Sequence, residues 1–318
     1  RFKFLGICLR FDDKQTRQAR AQSDKFAPIR EVWEKFIENA KSLYTPSEYC
    51  TIDEQLLGFR GGSSFRVYMR SKPDKYGLKI IMMNDAKTYY MVNATPYAGK
   101  FKPPNNEKVP SYYVRTLSQT IHGTNRNITV DNWFSSVPLF HKMLQDHKLT
   151  MVGTLRSSKP EIPPSFLAKK AVNSSLFAFD AHSMLVSYCP KKNKNVLLLS
   201  TMHSTKEIDL NTNKPSAILF YNSTKGGTDS FDQLCHSYSV SRVCKRWPLR
   251  IWYGIMDQSA INAMVLYNLK GENPKMKRRV FLKELALALV KPFLEERLEV
   301  TTLRRSLRIS IREILGLP

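Results

Sequence analysis

The chain has 318 residues, and its 50 Lys and Arg against 27 Asp and Glu give a formal net charge of +23 at pH 7. The hydrophobic content of 42% suffices for a folded core, and the charge excess favours a polyanionic partner, either nucleic acid or an anionic membrane. The longest apolar run, residues 251–269, contains Asp257, Gln258 and Asn262, so the sequence excludes a membrane-spanning helix. The five scattered cysteines form no CxxC pair, which predicts reduced thiols of an intracellular protein without structural zinc.

The chain begins with a helical pattern and continues with strands. Residues 1–48 are basic and then helical, because from Pro28 to Leu43 apolar side chains recur with a period of 3.6 residues. Alternating apolar patterns predict strands over 49–53, 65–69, 78–83, 89–93, 127–130 and 149–155, with a hairpin turn at 85–87.

Helices are predicted between these strands. One covers residues 111–120, and another starts near Val137, where Ser135 or Ser136 can supply the N-cap. Strands that alternate with helices indicate an α/β or α+β core, which we place over residues 49–156.

A β-rich module is predicted over residues 157–216. Prolines interrupt its start, and Lys- and Asn-rich turns separate three short strand-like runs at 176–179, 184–188 and 196–201. We therefore expect an insertion into the core at this point.

The core is predicted to resume over residues 217–238. The apolar run Ala217–Tyr221 favours a last strand, and Gly226 and Gly227 favour a sharp turn after it. A helix follows, with Thr228 as its expected N-cap.

Residues 239–318 are predicted to be helical and basic, with helices over 250–270, 279–290 and 291–315. Their dense clusters of cations are typical of surfaces that bind nucleic acid. The residues we predict to contact DNA in these clusters are Arg242, Lys245, Arg246, Lys277 and Arg278.

Three aspartates share a context that suits metal chemistry. Asp53 lies in or at the end of a strand, Asp131 ends a strand, and Asp229 follows the Gly-Gly turn. Carboxylates from three distant segments can hold two Mg²⁺ or Mn²⁺ ions for in-line displacement at phosphorus. Asp232 stands three residues after Asp229, which places both carboxylates on one face of a helix.

Each of these acids also has a plainer interpretation. A strand-end aspartate is usually a turn or cap residue, and paired aspartates on a helix are usually a solvated face. No HExxH, GxSxG, Walker or GxGxxG motif is present, and His236 is better explained as a structural residue than as a ligand. From the residues alone, the chain is a basic nucleic-acid-binding protein with a possible phosphoryl-transfer site.

Several short motifs occur in a fixed order along nearly the whole chain. They are RFDDK at 10–14, TIDEQLLGFRG at 51–61, SKPDKYG at 71–77, DNWF at 131–134, VGTLRS at 152–157, TKGGTD at 224–229 and RWP at 246–248. With these motifs the chain resembles the piggyBac-type DNA transposases. It departs from their pattern at Gly62-Ser63-Ser64, where an Arg and a Pro are usual.

The resemblance implies an α/β fold with an RNase H-like catalytic core and an inserted β-rich domain at 157–216. A helical dimerisation and DNA-binding domain is implied for 1–48 and 239–318. It also implies that Asp53, Asp131 and Asp229 are catalytic and hold two Mg²⁺ or Mn²⁺ ions, with Asp232 as a further catalytic acid. We leave the role of Asp232 open between a ligand, an outer-shell base and a solvated neighbour.

The same resemblance implies a reaction and its partners. Transposon ends are nicked, closed as hairpins, reopened and joined into TTAA target DNA without a nucleotide cofactor. Arg156 and Lys159 are expected to contact target DNA, and Trp247 either manages hairpin bases or anchors the core. A nuclear homodimer that binds no membrane is implied. Because the chain lacks a first Met and the family's Cys/His-rich end-binding domain, we expect it to be part of a longer protein.

Three functions remain open at this point. The first is an active two-metal transposase, which the three aspartates favour. The second is a domesticated piggyBac-derived protein that binds DNA without cutting it. The third is a general nuclease on the same fold, which would cut DNA without end sequences.

Overall fold

The computed structural model describes residues 2–271 and 274–318, so Arg1, Glu272 and Asn273 of the predicted helical segments lie outside the described residues. The chain divides into two compact units, residues 1–262 and residues 263–318. The predicted domain boundaries at 48, 156, 216 and 238 stay predictions.

The first unit opens with three helices, α1 (Phe2–Cys8), α2 (Lys14–Ser23) and α3 (Arg30–Ser42). The periodic helix predicted after Pro28 is confirmed as α3, which follows a short 3₁₀ turn and buries one apolar face. This face packs into a core cluster together with strand residues such as Ile80. The hydrophobic period therefore positions α3 against the sheet.

The described residues form one nine-stranded mixed sheet in the order β2-β3-β1-β5-β6-β9-β8-β7, with β4 paired to β3. Its strands are β1 (Tyr49–Gly58), β2 (Val67–Tyr68), β3 (Tyr76–Asp85), β4 (Met91–Pro96), β5 (Asn127–Val130), β6 (Thr150–Thr154), β7 (Ser175–Phe179), β8 (Met184–Lys191) and β9 (Lys194–Ser200). Strands β1, β3 and β4 are antiparallel, whereas β1, β5 and β6 run parallel. This antiparallel meander beside parallel strands is the RNase H-like arrangement, so the predicted fold class is confirmed.

The strands predicted after residue 157 are present, but they continue the same sheet. The antiparallel pair β6 and β9 joins them to the core strands. A short helix, α6 (Pro164–Leu167), precedes them. Whether they fold as a separate domain stays a prediction.

Two helices, α4 (Val109–Leu117) and α5 (Val137–His147), connect the core strands. Ser136 occupies the N-cap position of α5, yet its side chain makes no capping hydrogen bond. Ser135 donates its hydroxyl to the carbonyl oxygen of Asp131 at 2.8 Å. Ser136 is therefore the N-cap residue, one of the two predicted, but it does not cap through its side chain, and Ser135 instead holds the loop before the helix.

The strand predicted at Ala217–Tyr221 is wrong, because these residues belong to helix α7 (Ser216–Thr224). A five-residue apolar run does not distinguish a strand from a buried helix. The neighbouring positions in the sheet are already filled, since β1 pairs with β3 and β5. Pro215 occupies the N-cap position and favours the start of a helix.

Helix α8 (Gly227–His236) follows α7 directly. Its N-cap is Gly226, so the prediction of Thr228 as the N-cap is wrong. Thr228 lies inside the first turn and is fully buried, with its hydroxyl 3.0 Å from Oδ1 of Asn84. The residue is needed for a tertiary contact and is therefore unavailable as a cap.

Three more helices complete the described chain: α9 (Trp247–Leu269), α10 (Arg278–Leu298) and α11 (Arg305–Leu315). The predicted break between residues 290 and 291 is wrong, because α10 continues through Pro292. This proline removes one backbone hydrogen bond from a mostly exposed helix. In the part of the chain that the structure describes, no helix has the length and apolarity to cross a membrane.

Candidate active site

Adjacent parallel strands bring Asp53 and Asp131 together. Ile52 of β1 lies opposite Val130 of β5, and each aspartate is the next residue in its chain. Strand β5 ends there, whereas β1 continues beside β3 to Gly58. Asp53 therefore lies within a strand, at the point where its parallel partner stops.

Local hydrogen bonds orient both of these carboxylates. Oδ1 of Asp53 accepts the backbone N–H of Glu54, and Oδ1 of Asp131 accepts the backbone N–H of Trp133, each at 2.8 Å. These bonds come from the one or two residues that follow each aspartate. The side-chain directions are thus determined within the motif itself.

A buried threonine cluster attaches the α7–α8 junction to the same two strands. Thr51 of β1 donates its hydroxyl to the carbonyl oxygen of Thr224 at 2.6 Å. The hydroxyl of Thr129 on β5 lies 2.8 Å from the Thr224 hydroxyl. Gly227 makes this approach possible, because a Cβ atom at that position would lie 2.8 Å from Oγ1 of Thr51. Close approach, not an unusual backbone angle, explains this glycine.

Helix α8 then presents Asp229 and Asp232 beside Lys72. Nζ of Lys72 lies 3.2 Å from Oδ1 of Asp229 and 3.6 Å from Oδ2 of Asp232. The Asp229 side chain is 67% exposed, whereas that of Asp232 is 10% exposed and that of Lys72 is 15% exposed. Lys72 therefore provides the buried countercharge for this pair.

Asp53, Asp131 and Asp229 line one cavity of about 220 Å³, together with Thr51, Thr129, Tyr221 and Lys225. Burial and the negative charges of Glu54 and Asp131 raise the pKa of Asp53 well above its usual range. Burial, followed by the charge of Glu54, also raises the pKa of Asp131. The strand side of the cavity thus brings carboxylates together whose charged forms disfavour one another.

The α8 carboxylates have a different electrostatic balance. Burial raises the pKa of Asp232, and the charge of Lys72 opposes this shift. Burial would lower the pKa of Lys72, but the charges of Asp232 and Asp229 outweigh it and raise that pKa. One ammonium group therefore stabilises two acids on this side of the site.

The donor set suits a hard divalent cation, since it consists of carboxylate oxygens whose repulsion such an ion would relieve. The carboxylates do not converge on one point, however. Among the described residues, no group of three His, Cys, Asp or Glu side chains is arranged to hold a metal ion. The suitability of this site for a divalent cation therefore rests on its carboxylate oxygens, their negative charge and the cavity that they share.

Sequence reasoning missed two cations of this site. Lys72 belongs to the SKPDKYG motif at 71–77, whose sequence alone indicates no role for it. Lys79 lies 3.6 Å from Oε2 of Glu54 and 4.5 Å from the ring centre of Trp133. The place of Lys72 in this motif is the signal that marks it in the sequence, whereas no motif marks Lys79.

Two other residues near the site have structural contacts. Nδ1 of His236 lies 2.8 Å from the carbonyl oxygen of Asp232, and Nε2 lies 3.6 Å from Oδ2 of Asp74. Trp133 stacks at an edge against Phe134, with 4.6 Å between ring centres. These contacts agree with the structural interpretation of His236 and with packing by Trp133.

Arg156 and Lys159, which we predicted to contact target DNA, lie just after β6. Arg156 is exposed, and its Nε donates to Oδ1 of Asn132 at 3.1 Å, so it adjoins the residue after Asp131. Lys159 is half-buried in the following turn. Arg242 and Lys245 are exposed and line a larger cavity near the end of α8.

The remaining predicted contacts are less accessible. Arg246 donates to the carbonyl oxygens of Gly6, Ile7 and Leu9, so its guanidinium already holds the end of α1. Trp247 packs against Phe26 and Phe65, with ring centres at 5.5 and 4.9 Å, as expected of a core anchor. In the second compact unit, Lys277 is exposed and Arg278 is buried.

Comparisons with known proteins agree with this architecture. The family model described as Transposase IS4 matches residues 1–264. PiggyBac transposable element-derived protein 3 of Homo sapiens is 24% identical over 287 residues, which cover 81% of this chain and 47% of that protein. The Chimeric ERCC6-PGBD3 protein of Homo sapiens has the same identity over the same length, with 26% of that protein covered.

A solved structure is also similar. The cryo-EM structure of a piggyBac transposase synaptic complex with hairpin DNA matches with a TM-score of 0.94 at 43% identity, covering 100% of this chain and 67% of that chain. The chain spans about half or less of the length of the curated relatives it matches. Because the family model covers most of the sequence, the chain belongs to the Transposase IS4 family, as a piggyBac-type member.

Proposed function

We propose that this chain carries the catalytic core of a cut-and-paste DNA transposase. The observation that carries the proposal is the shared cavity of Asp53, Asp131 and Asp229, which come from three separate segments of the chain. Membership of a transposase family and the likeness to a transposase solved with hairpin DNA support DNA as the substrate. The formal charge of +23 favours binding of its phosphodiester backbone.

The proposed cofactor is a pair of divalent cations, Mg²⁺ or Mn²⁺, held by Asp53, Asp131 and Asp229. When bound, such ions stabilise the charge that develops around phosphorus during the displacement. The chain itself orients the carboxylates through the backbone bonds of Glu54 and Trp133. We further propose that Asp232 acts as the buried acid of the set and that Lys72 keeps it ionised beside Asp229.

The remaining elements of the proposal concern the complete protein. We propose nicking, hairpin formation and reopening at transposon ends, followed by joining into TTAA target DNA by a nuclear homodimer. The proposed contacts to DNA are Arg156, Lys159, Arg242, Lys245 and Lys277. Arg246, Trp247 and Arg278 are secondary candidates, because packing or backbone contacts already occupy them.

Two measurements test this proposal. Mn²⁺ binding, followed by electron paramagnetic resonance, should be saturable in the wild-type chain and much weaker in Asp131→Asn. The complete protein, incubated with Mg²⁺ and DNA that carries the ends of its own element, should give TTAA junctions when the products are sequenced.

Mn²⁺ binding and DNA binding without any cleavage would instead support the domesticated alternative. Cleavage independent of end sequences would support a general nuclease.

A further inference from the structure

A second cavity lies beside the candidate active site, within the first compact unit. It has a volume of about 470 Å³ and is bounded by the second half of β1, the end of α8, the 239–245 segment and the start of α9. This volume lies in the usual range for small-ligand sites. Gln55 and Leu57 of its wall share one face of β1 with Asp53, because side chains two positions apart point the same way.

Arg250 is the unusual group in this cavity. Its Nε donates to the carbonyl oxygen of Gly58 at 2.9 Å. Nη1 is fully buried without a hydrogen-bond partner, and the guanidinium forms no ion pair with any carboxylate of the described residues. A buried cation with unused donors is costly, and an anionic oxygen is the ligand that removes this cost.

The charges around Arg250 favour an anion. Arg60, Arg242 and Lys245 also line the cavity, and all three are exposed. The lining also includes two aspartates, so four cations face two acids. The carboxylate of Asp257 accepts from Ser239 and from the backbone of residue 240, and Asp74 faces His236 at 3.6 Å.

We propose that this cavity binds one unstacked nucleotide of a DNA strand, with its phosphate on the Arg250 guanidinium. Planar guanidinium groups suit the oxygens of a phosphate, and the ring of Tyr76, which is 41% exposed, offers a surface for sugar and base. The strand would continue along the face of β1 and α8 that carries Asp53 and Asp232. The inference rests on the proposed function, since it assigns a subsite to the same substrate.

Cys244 provides a direct probe, because it lines the cavity and its thiol is only half-buried. In a Cys8→Ser background, alkylation of Cys244 should be at least about tenfold slower when a mixed-sequence single-stranded oligonucleotide is bound. Fluorescence anisotropy of the same samples reports whether the oligonucleotide is bound at all. Inorganic phosphate alone should protect less, because it fills only the Arg250 end of the cavity.

Arg250→Gln should weaken oligonucleotide binding about tenfold, remove the protection and lower the salt dependence by about one phosphate contact. The matched control is Lys192→Gln, which removes one exposed charge in the β8–β9 turn and should retain protection. Ser241→Trp fills the cavity without altering Arg250, so it gives the same loss even where Arg250→Gln unfolds.

The outcomes separate this inference from the proposed function. Unchanged alkylation of Cys244 while the oligonucleotide is bound would overturn the nucleotide site and leave the transposase proposal intact. Failure of the wild-type chain to bind DNA under any salt condition would count against both. Equal protection in wild type and Ser241→Trp would also refute the site, because the cavity would then be irrelevant to binding.

Discussion

Asp53 and Asp131 are held by their own neighbours in the chain, whereas Asp229 depends on Lys72, which lies 157 positions away. The first pair has only local orientation and carries repulsion, since burial and acidic neighbours raise the pKa of both groups. The helix pair has a buried cation beside it. The difference suggests that Asp53 and Asp131 supply the negative charge that a bound cation would neutralise. The carboxylates of α8, in contrast, are already held by Lys72.

The largest expected effect belongs to the strand aspartates. Asp53→Asn or Asp131→Asn should slow DNA cleavage by at least about 10³-fold, because each removes a proposed ligand worth several kcal/mol. The free energy of unfolding should instead rise in Asp53→Asn at neutral pH. A folded-state pKa above the unfolded value means that ionised Asp53 destabilises the folded state, progressively as pH rises above about 4.

Thermal unfolding at neutral pH and at pH 4 checks this second claim. Asp53→Asn should unfold at a higher temperature than wild type at neutral pH, and the difference should shrink at acidic pH. If Asp53→Asn instead unfolded at a lower temperature than wild type at neutral pH, cations would balance the strand carboxylates in the folded chain. The contrast with the α8 carboxylates would then be wrong.

Lys72→Met should lower cleavage by about 10- to 100-fold, the usual cost of losing a group that supports metal ligands. The buried Asp232 loses the charge that opposes the rise of its pKa, so the variant should lose stability relative to wild type as pH rises above about 4. Lys87→Met, in the exposed β3–β4 turn, is the matched control and should change neither the cleavage rate nor the pH dependence of stability. Cleavage rates and unfolding curves across pH measure both effects, and a wild-type pH profile in Lys72→Met would contradict the role.

The same contrast explains what the sequence could predict. Asp53 and Asp131 were found because strand pattern and local turn chemistry are encoded within a few residues. The position of Lys72 and the helical state of Ala217–Tyr221 depend on which neighbours β1 acquires in the folded sheet. The fold class could be predicted from motif order, whereas the countercharge and the α7–α8 junction could not, because they arise from tertiary contacts.

The junction itself gives a smaller, structural prediction. Gly227→Ala should cost about 1–3 kcal/mol of unfolding free energy, because its Cβ would crowd Oγ1 of Thr51 and disturb the bond to Thr224. Gly226→Ala is the matched control, since its nearest neighbour would be Oγ of Ser230 at 3.8 Å, and it should cost less than about 1 kcal/mol. Urea unfolding distinguishes the two, and equal costs would show that Gly227 is not a close-approach residue.

The smallest effect concerns the loop that follows Asp131. Ser136→Ala should change stability by less than about 0.5 kcal/mol, because its side chain makes no cap bond although it occupies the N-cap position. Ser135→Ala should cost about 1 kcal/mol, since it loses the bond to the carbonyl oxygen of Asp131. Chemical denaturation of the two variants measures the difference. If Ser136→Ala proved the more costly change, the helix cap would be holding Asp131, and local orientation by Ser135 would be refuted.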